Sequence, residues 1–379
     1  MTMWIIILWT TIAFASVCLL YLGARVPKLA GMKADSLRGR LRLFLPGLLT
    51  VLGIAGMLAL CMDTVNAVVC VMYAAMIWAA CDAAFWMVKK CARKDFARYY
   101  AGWAALALSV LALGGGWHAA HHVRQTEYEL ATPKDVPDLK VAMLADSHLG
   151  TTFDSEGFAG HLEKIQAQHP DVLVVVGDYV DDGTSREDMM RAAKALGQIK
   201  ARHGVYFVSG NHDKGYFGAA RRGFSEQELF DELKSNGIKM LRDESVLIGD
   251  AFYLIGRRDL SEVREQGGAR ASMGELVSGL DKEKYMIVLD HQPADFAAQA
   301  DARVDLVLCG HTHGGQLFPF NQVGKWIGAN DLVYGHEKRG DTDFIVTSGI
   351  SDWAIRFKTG TKSEFVVINI RKEAQPGTR

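Results

Sequence analysis

The sequence predicts a layered α/β domain preceded by an all-α membrane region of four helices. Three observations carry that expectation. Four almost purely apolar runs fill the first third of the 379-residue chain. Apolar runs of strand length alternate with amphipathic helical stretches over the rest. Carboxylate, amide and imidazole residues gather where several of the strand runs stop. A chain of this length suits two units rather than one. Its net charge of -1 provides no basic field, so the sequence predicts no nucleic-acid partner.

Residues 4–22, 43–62, 67–88 and 101–117 are the four apolar runs, the last extended by its neighbours. Each reaches the roughly 20 residues that a helix needs to cross a bilayer. The first lacks a basic n-region and is followed by more spans, so it reads as a span and not a signal peptide. The expected organisation is a transmembrane region over 1–122, a linker over 123–138, an α/β domain over 139–371 and a loose tail over 372–379.

Basic residues set the orientation. Arg25, Lys28, Lys33, Arg38, Arg40 and Arg42 follow span one, and Lys89, Lys90, Arg93, Lys94 and Arg98 follow span three. The turn between spans two and three holds only Asp63. Both basic loops then belong in the cytoplasm. An even number of spans puts the termini and the α/β domain on the extracytoplasmic side. Asp82, inside span three, reads as a locally paired carboxylate, with a functional site as the alternative. His118, His121 and His122 read as an interfacial helix end.

Five cysteines, Cys18, Cys61, Cys70, Cys81 and Cys91, lie in or beside the apolar runs, leaving Cys309 alone in the α/β domain. One thiol cannot close an internal disulfide.

Strand runs fall at 140–144, 172–176, 205–208, 252–255, 286–289, 305–309, 344–347 and 365–368. Helical stretches fall at 185–201, 226–235 and 293–300. Ser185 suits an N-cap, and Gly204 and Gly237 suit helix stops. Continuously apolar strands imply sheets covered on both faces.

Five motifs stand at strand ends: Asp146-Ser147-His148, Gly177-Asp178-Tyr179-Val180-Asp181, Gly210-Asn211-His212-Asp213, His291 and Gly310-His311-Thr312-His313. In open α/β sheets, ligands collect at the carboxyl ends of strands. The glycines would let the chain turn sharply there. The donors suffice for two divalent ions. Asp146, His148 and His313 suit one, Asn211, His291 and His311 the other, and the carboxylate of Asp178 can bridge both. Two ions roughly 3.5–4 Å apart polarise a phosphoryl group and hold a bridging water as hydroxide. His212 is placed to protonate the leaving oxygen or clamp a phosphate oxygen, and Asn211 can also touch substrate. Asp213 can orient His212 or cap the following turn. Mixed His, Asn and carboxylate donors suit Mn, Fe, Zn and Co alike.

The order of these motifs resembles the calcineurin-like metallophosphoesterases, over roughly residues 139–370. The resemblance implies a four-layer α/β/β/α sandwich, with two mixed sheets flanked by helices and metals at one edge. It implies the ligand roles above and His212 as the catalytic histidine. The run Gly310 to Gln316, with Pro319-Phe320 after it, is similar to a membrane-anchored branch of that family. Where the branch carries Arg-Gly-Thr-Gly, this chain reads Ser348-Gly349-Ile350-Ser351, which leaves Arg356 as the candidate phosphate contact.

The expected activity is phosphodiester or pyrophosphate hydrolysis on membrane-associated or envelope substrates, including lipid-linked ones. A phosphomonoesterase on soluble substrates, and a membrane sensor or scaffold keeping the fold, are the alternatives. Leu317, Phe318, Pro319 and Phe320 follow the last metal motif, and Trp326, Ile327, Trp353, Ile355 and Phe357 lie in later loops. Those side chains either meet lipid or pack as ordinary loop core.

Overall fold

The computed structural model describes residues 2–32, 34–93, 95–265 and 267–373. The chain divides into two compact units, Met1–Gly116 and Trp117–Arg379.

The first unit is helical: α1 (Thr2–Leu29), α2 (Leu37–Cys61), α3 (Thr64–Ala92) and α4 (Tyr100–His121), the last running into the second unit. All four are long and apolar enough to cross a membrane, the first from Leu8 onward. Ser36 and Asp63 cap α2 and α3 by accepting from the amides of Gly39 and Asn66. Helix α1 continues past residue 22, so Arg25 and Lys28 are helical, as are Arg38, Arg40 and Arg42 at the start of α2. Lys33 and Lys94 lie outside the described residues. Asp82 is paired locally: it accepts from the Tyr21 hydroxyl at 2.7 Å, Arg25 Nε at 2.6 Å and the Tyr99 hydroxyl at 2.6 Å.

The described residues of the second unit form twelve strands. They are β1 (Arg124–Thr132), β2 (Leu139–Leu144), β3 (Val172–Val176), β4 (Val205–Val208), β5 (Lys239–Met240), β6 (Glu244–Ile248), β7 (Phe252–Gly256), β8 (Tyr285–Leu289), β9 (Leu306–Cys309), β10 (Gly335–Arg339), β11 (Thr342–Val346) and β12 (Glu364–Lys372). One sheet runs β1-β12-β2-β3-β4-β5 and the other β10-β11-β9-β8-β7-β6. Both are mixed. Strands β2 to β5 are mutually parallel, as are β7, β8, β9 and β11, with antiparallel β12 against β2 and antiparallel edges at β6 and β10.

Side chains alternate across each strand, which divides the core in three. Val141, Met143, Val174 and Val176 meet Leu254, Ile287, Leu289 and Leu308 between the sheets. Ala142, Leu144, Leu173 and Val175 face the helices Ser155–Gln166, Arg186–Gly197 and Glu226–Ser235. Ile255, Val288 and Val307 face the short helices Met273–Leu276 and Phe296–Asp301. The result is the four-layer α/β/β/α sandwich. Ile287 is fully buried between the sheets, and truncating it to Ala would cost about 2–5 kcal/mol.

Several expectations need correction. The segment 123–138 is not merely a linker, because β1 pairs parallel with β12 over its full length. Residues 374–379 of the expected tail lie outside the described residues, and Lys372 ends β12. The helix expected at 185–201 stops at Gly197, since Gln198 caps it and Gly204 instead leads into β4. The helix expected from residue 293 begins at Phe296, because Asp295 takes φ 72°.

Candidate metal centre

Every motif residue sits just beyond the carboxyl end of a parallel strand: Asp146 and His148 after β2, Asp178 and Asp181 after β3, Asn211 to Asp213 after β4, His291 after β8, and His311 and His313 after β9. Backbone bonds tie these loops together. The Asp146 amide donates to Gly177, the His148 amide to Asp178 and the Gly310 amide to His291. Asp146, His148, Asp178, His291 and His313 are buried.

The loops are strained. Asp146, His148, Asp178, His311 and His313 have φ of 56°, 36°, 50°, 72° and 50°. Each such residue costs on the order of 1–3 kcal/mol, and strain of this kind collects at functional sites. Gly177 also needs its positive φ of 78°. Gly210 and Gly310 do not, contrary to the expected turning role. They make room: a Cβ at Gly310 would lie 2.8 Å from Asp146 Oδ2, and one at Gly210 would overlap the Asp178 carboxylate.

Among the described residues, three groups of side chains are spaced to hold an ion: Asp146 with His148 and His313, Asp178 with His291 and His311, and His148 with Asp181 and His212. The first brings together the three side chains expected around one ion, and the second brings His291 and His311 of the other expected shell together with Asp178. Its Oδ2 is 3.5 Å from His148 Nε2 and 3.1 Å from His291 Nε2. Asn211 joins the second group, its Oδ1 accepting from His311 Nδ1 at 2.8 Å, while its Nδ2 donates to the Tyr216 hydroxyl at 3.0 Å. Backbone carbonyls fix two other rings. His291 Nδ1 donates to Val176 at 2.8 Å and His313 Nδ1 to Ser351 at 3.3 Å, leaving Nε2 of each for another partner.

The third group was not foreseen. Asp181 Oδ2 lies 3.4 Å from His148 Nδ1, and its Oδ1 lies 3.4 Å from His212 Nδ1. Asp213 does not orient His212. Its carboxylate accepts the amides of Asp178, Tyr179, Val180 and Gly210, and so shapes the loop after β3. The Gly-Asp-x-x-Asp spacing was the only sequence signal for Asp181. The Tyr216 and Trp353 rings also flank His212, at 5.1 and 5.3 Å between centroids, and nothing in the sequence marked either as its neighbour. Asp352 and Lys358 form a buried pair at 3.3 Å on the same segment as Trp353. Arg356, between them, is half-buried, and Phe357 is buried in the core and cannot meet lipid.

Charge is concentrated here. Burial pushes Asp146 up to about 6. Burial pushes Asp178 the same way, but His291 and His212 outweigh it and hold the carboxyl well below its ordinary range. Burial alone would lower His212 and His291, and the nearby carboxylates raise both instead. Burial lowers His311 to about 4.

A model of the calcineurin-like phosphoesterase family matches residues 139–315. An uncharacterized metallophosphoesterase of Aquifex aeolicus is 30% identical over 201 residues, covering 52% of this chain and 72% of its own. This chain belongs to the calcineurin-like phosphoesterase family. An uncharacterized metallophosphoesterase of Campylobacter jejuni is 30% identical over 251 residues, 66% of this chain and 63% of that one. The transmembrane protein with metallophosphoesterase domain of Danio rerio is 30% identical over 282 residues, 71% of this chain and 62% of that one. The chain thus spans about three fifths of the length of those two relatives. Four helices of this chain are long and apolar enough to cross a membrane, and relatives from Danio rerio and Bos taurus are named as transmembrane proteins.

The family uses divalent metals, and the residues present fit them. His148 Nδ1 and Nε2, His212 Nδ1 and His291 Nε2 are buried without hydrogen-bond partners. Buried polar atoms are otherwise almost always satisfied. Imidazole and carboxylate donors in these groups are the chemistry that such ions select.

Proposed function

We propose that the protein is a dinuclear metal-dependent phosphohydrolase, cleaving phosphodiester or pyrophosphate bonds of membrane-associated or envelope substrates on the extracytoplasmic side. The supporting observation is Asp178, whose one carboxylate oxygen lies within 3.5 Å of imidazoles from both ligand groups. Asp146, His148 and His313 would hold one ion and Asn211, His291 and His311 the other, with Asp178 shared. The ions would supply Lewis-acid polarisation of the phosphoryl group and an activated water.

The chain's own residues do the rest. His212 carries the proton for the leaving oxygen. Asp181 faces its Nδ1 and keeps Nε2 turned to substrate, and the nearby carboxylates favour the imidazolium. Asn211 can touch the same phosphate, and Arg356 remains the proposed contact for a second phosphate oxygen. Phe318, Phe320, Trp326 and Ile327 are 61%, 54%, 72% and 71% exposed, which supports a lipid-facing role over core packing.

Orientation rests on the cations at the ends of α1, α2 and α3. A reporter fused after the last residue should behave as extracytoplasmic, and a cytoplasmic signal would contradict it. The reaction is tested on the purified full chain by phosphate release from diesters, pyrophosphates and monoesters, lipid-linked and soluble, with each metal after chelation. Activity should vanish with chelator and return with a divalent ion. Activity that survives chelation, or that favours soluble monoesters, would contradict the reading.

A further inference from the structure

The helical unit contains a cavity of about 1410 Å³ that shares no residue with the His/Asp groups. It is built at one end of the helices, from the last turns of α1, the first turns of α2 and the segment leading into α4. Among the described residues, four cations line it, Arg25, Lys28, Arg40 and Arg98, against the one carboxylate of Asp35.

These cations are not equivalent. Arg25 is neutralised and held in place by Asp82, which the Tyr21 and Tyr99 hydroxyls also engage. Lys28, Arg40 and Arg98 are exposed and have no carboxylate within ion-pair distance among the described residues. Like charges gathered around one concavity repel unless an anion sits between them.

Most of the rest of the wall is apolar and includes Leu41, Leu43, Phe44, Phe96 and Trp103. A free inorganic anion gains nothing from such a wall. A molecule with an anionic head and an acyl chain uses both parts. Basic pockets between transmembrane helices are where anionic head groups bind, and Trp is enriched at that depth.

We propose that this cavity binds one anionic phospholipid. Its phosphate meets Lys28, Arg40 and Arg98, and its chain lies along Phe44 and Trp103. The site would tie the ends of α1, α2 and α4 to one lipid. The inference rests on the chain being a membrane protein and not on its hydrolytic reaction.

The test uses the detergent-purified full chain, with native mass spectrometry reading lipid adducts. Phosphatidylglycerol and phosphatidylcholine of identical chains are titrated, with and without millimolar inorganic phosphate. About one phosphatidylglycerol per chain should be retained, phosphatidylcholine should not be, and phosphate should not displace the lipid. Replacing Lys28→Gln, Arg40→Gln and Arg98→Gln together should weaken binding on the order of 100-fold, about fivefold per cation. Arg38→Gln, Arg42→Gln and Lys90→Gln remove as much charge from residues outside this cavity and should leave the adduct in place. Should the first triple variant fail to fold, Arg98→Gln alone still predicts a loss of about fivefold. Equal loss in both triple variants, equal retention of phosphatidylcholine, displacement by phosphate or an unchanged adduct would each overturn the assignment.

Discussion

Asp146, Asp178, His291 and His313 are buried and hydrogen-bonded, and three of the four sit in left-handed backbone. The loop that follows them is the reverse: Phe318, Phe320, Trp326 and Ile327 are more than half exposed. The two regions are continuous in the chain, since His313 precedes Phe318 by five residues. The strained floor has one geometry and little freedom to vary, as a reaction centre requires. The rim spends apolar surface on solvent, which makes sense where another apolar phase is near. On the proposed function, chemistry falls to the buried floor and substrate choice to the exposed rim, and each part can be tested by itself.

The largest effect should come from the shared carboxylate. Asp178→Ala should abolish hydrolysis of every ester, lipid-linked or soluble, as measured by phosphate release. Residual activity on one substrate class would mean that the floor is not common to all of them.

Next is His212. His212→Ala should keep its metals and lose about 10²–10⁴-fold in rate, with a smaller loss for a good leaving group such as nitrophenolate. Equal losses on good and poor leaving groups would make His212 a positioning residue. Asp181→Asn sharpens the point. Asp181 helps raise the His212 pKa, so losing it should let the imidazolium deprotonate sooner. Activity on poor leaving groups should then fall at a lower pH than in the wild type, and an unmoved alkaline limb would disconnect the two residues.

The rim effect should be smaller and selective. Phe318→Ser with Phe320→Ser should lower activity on lipid-linked esters about tenfold, or about 1.4 kcal/mol, just under the roughly 1.5–3 kcal/mol that full burial of one large apolar side chain contributes. A soluble chromogenic ester should be hydrolysed as before. A parallel fall in both would return these residues to the fold.

Least of all is a change outside both regions. Burial lowers His161, on the helix Ser155–Gln166, to about 4. The unfolded chain, with an ordinary imidazole near pKa 6.5, takes up that proton first. Stability should therefore drop as pH falls from about 6.5 toward 4. His161→Leu should remove that slope, about 1 kcal/mol after solvent screening, without touching activity. Thermal unfolding at both ends of the window reads it, and lost activity would place His161 nearer the floor than its burial implies.

Much of this was legible in the sequence, for physical reasons. The eight strands expected from apolar runs are all present, because strands covered on both faces must be apolar at every position. Strands β1, β5, β6 and β10 escaped notice because they are the four sheet edges, carrying Glu127, Glu129, Lys239, Glu244, Glu337 and Lys338. Charged edges are how sheets avoid further pairing, and they erase the apolar signal. In the site, the ligand groups follow from strand ends, but the partner of His212 does not. Asp213 adjoins it in sequence, whereas Asp181, on the neighbouring strand's loop, adjoins it in space. The same holds for Trp353, which reaches His212 from the segment between β11 and β12.

The central claim is that one carboxylate joins two ion positions, and metal content tests it most directly. Elemental analysis of active wild-type protein, quantified against chain concentration, should give two divalent ions per chain, and Asp178→Ala should lower that content. Fully active protein with one ion or none per chain would contradict the account.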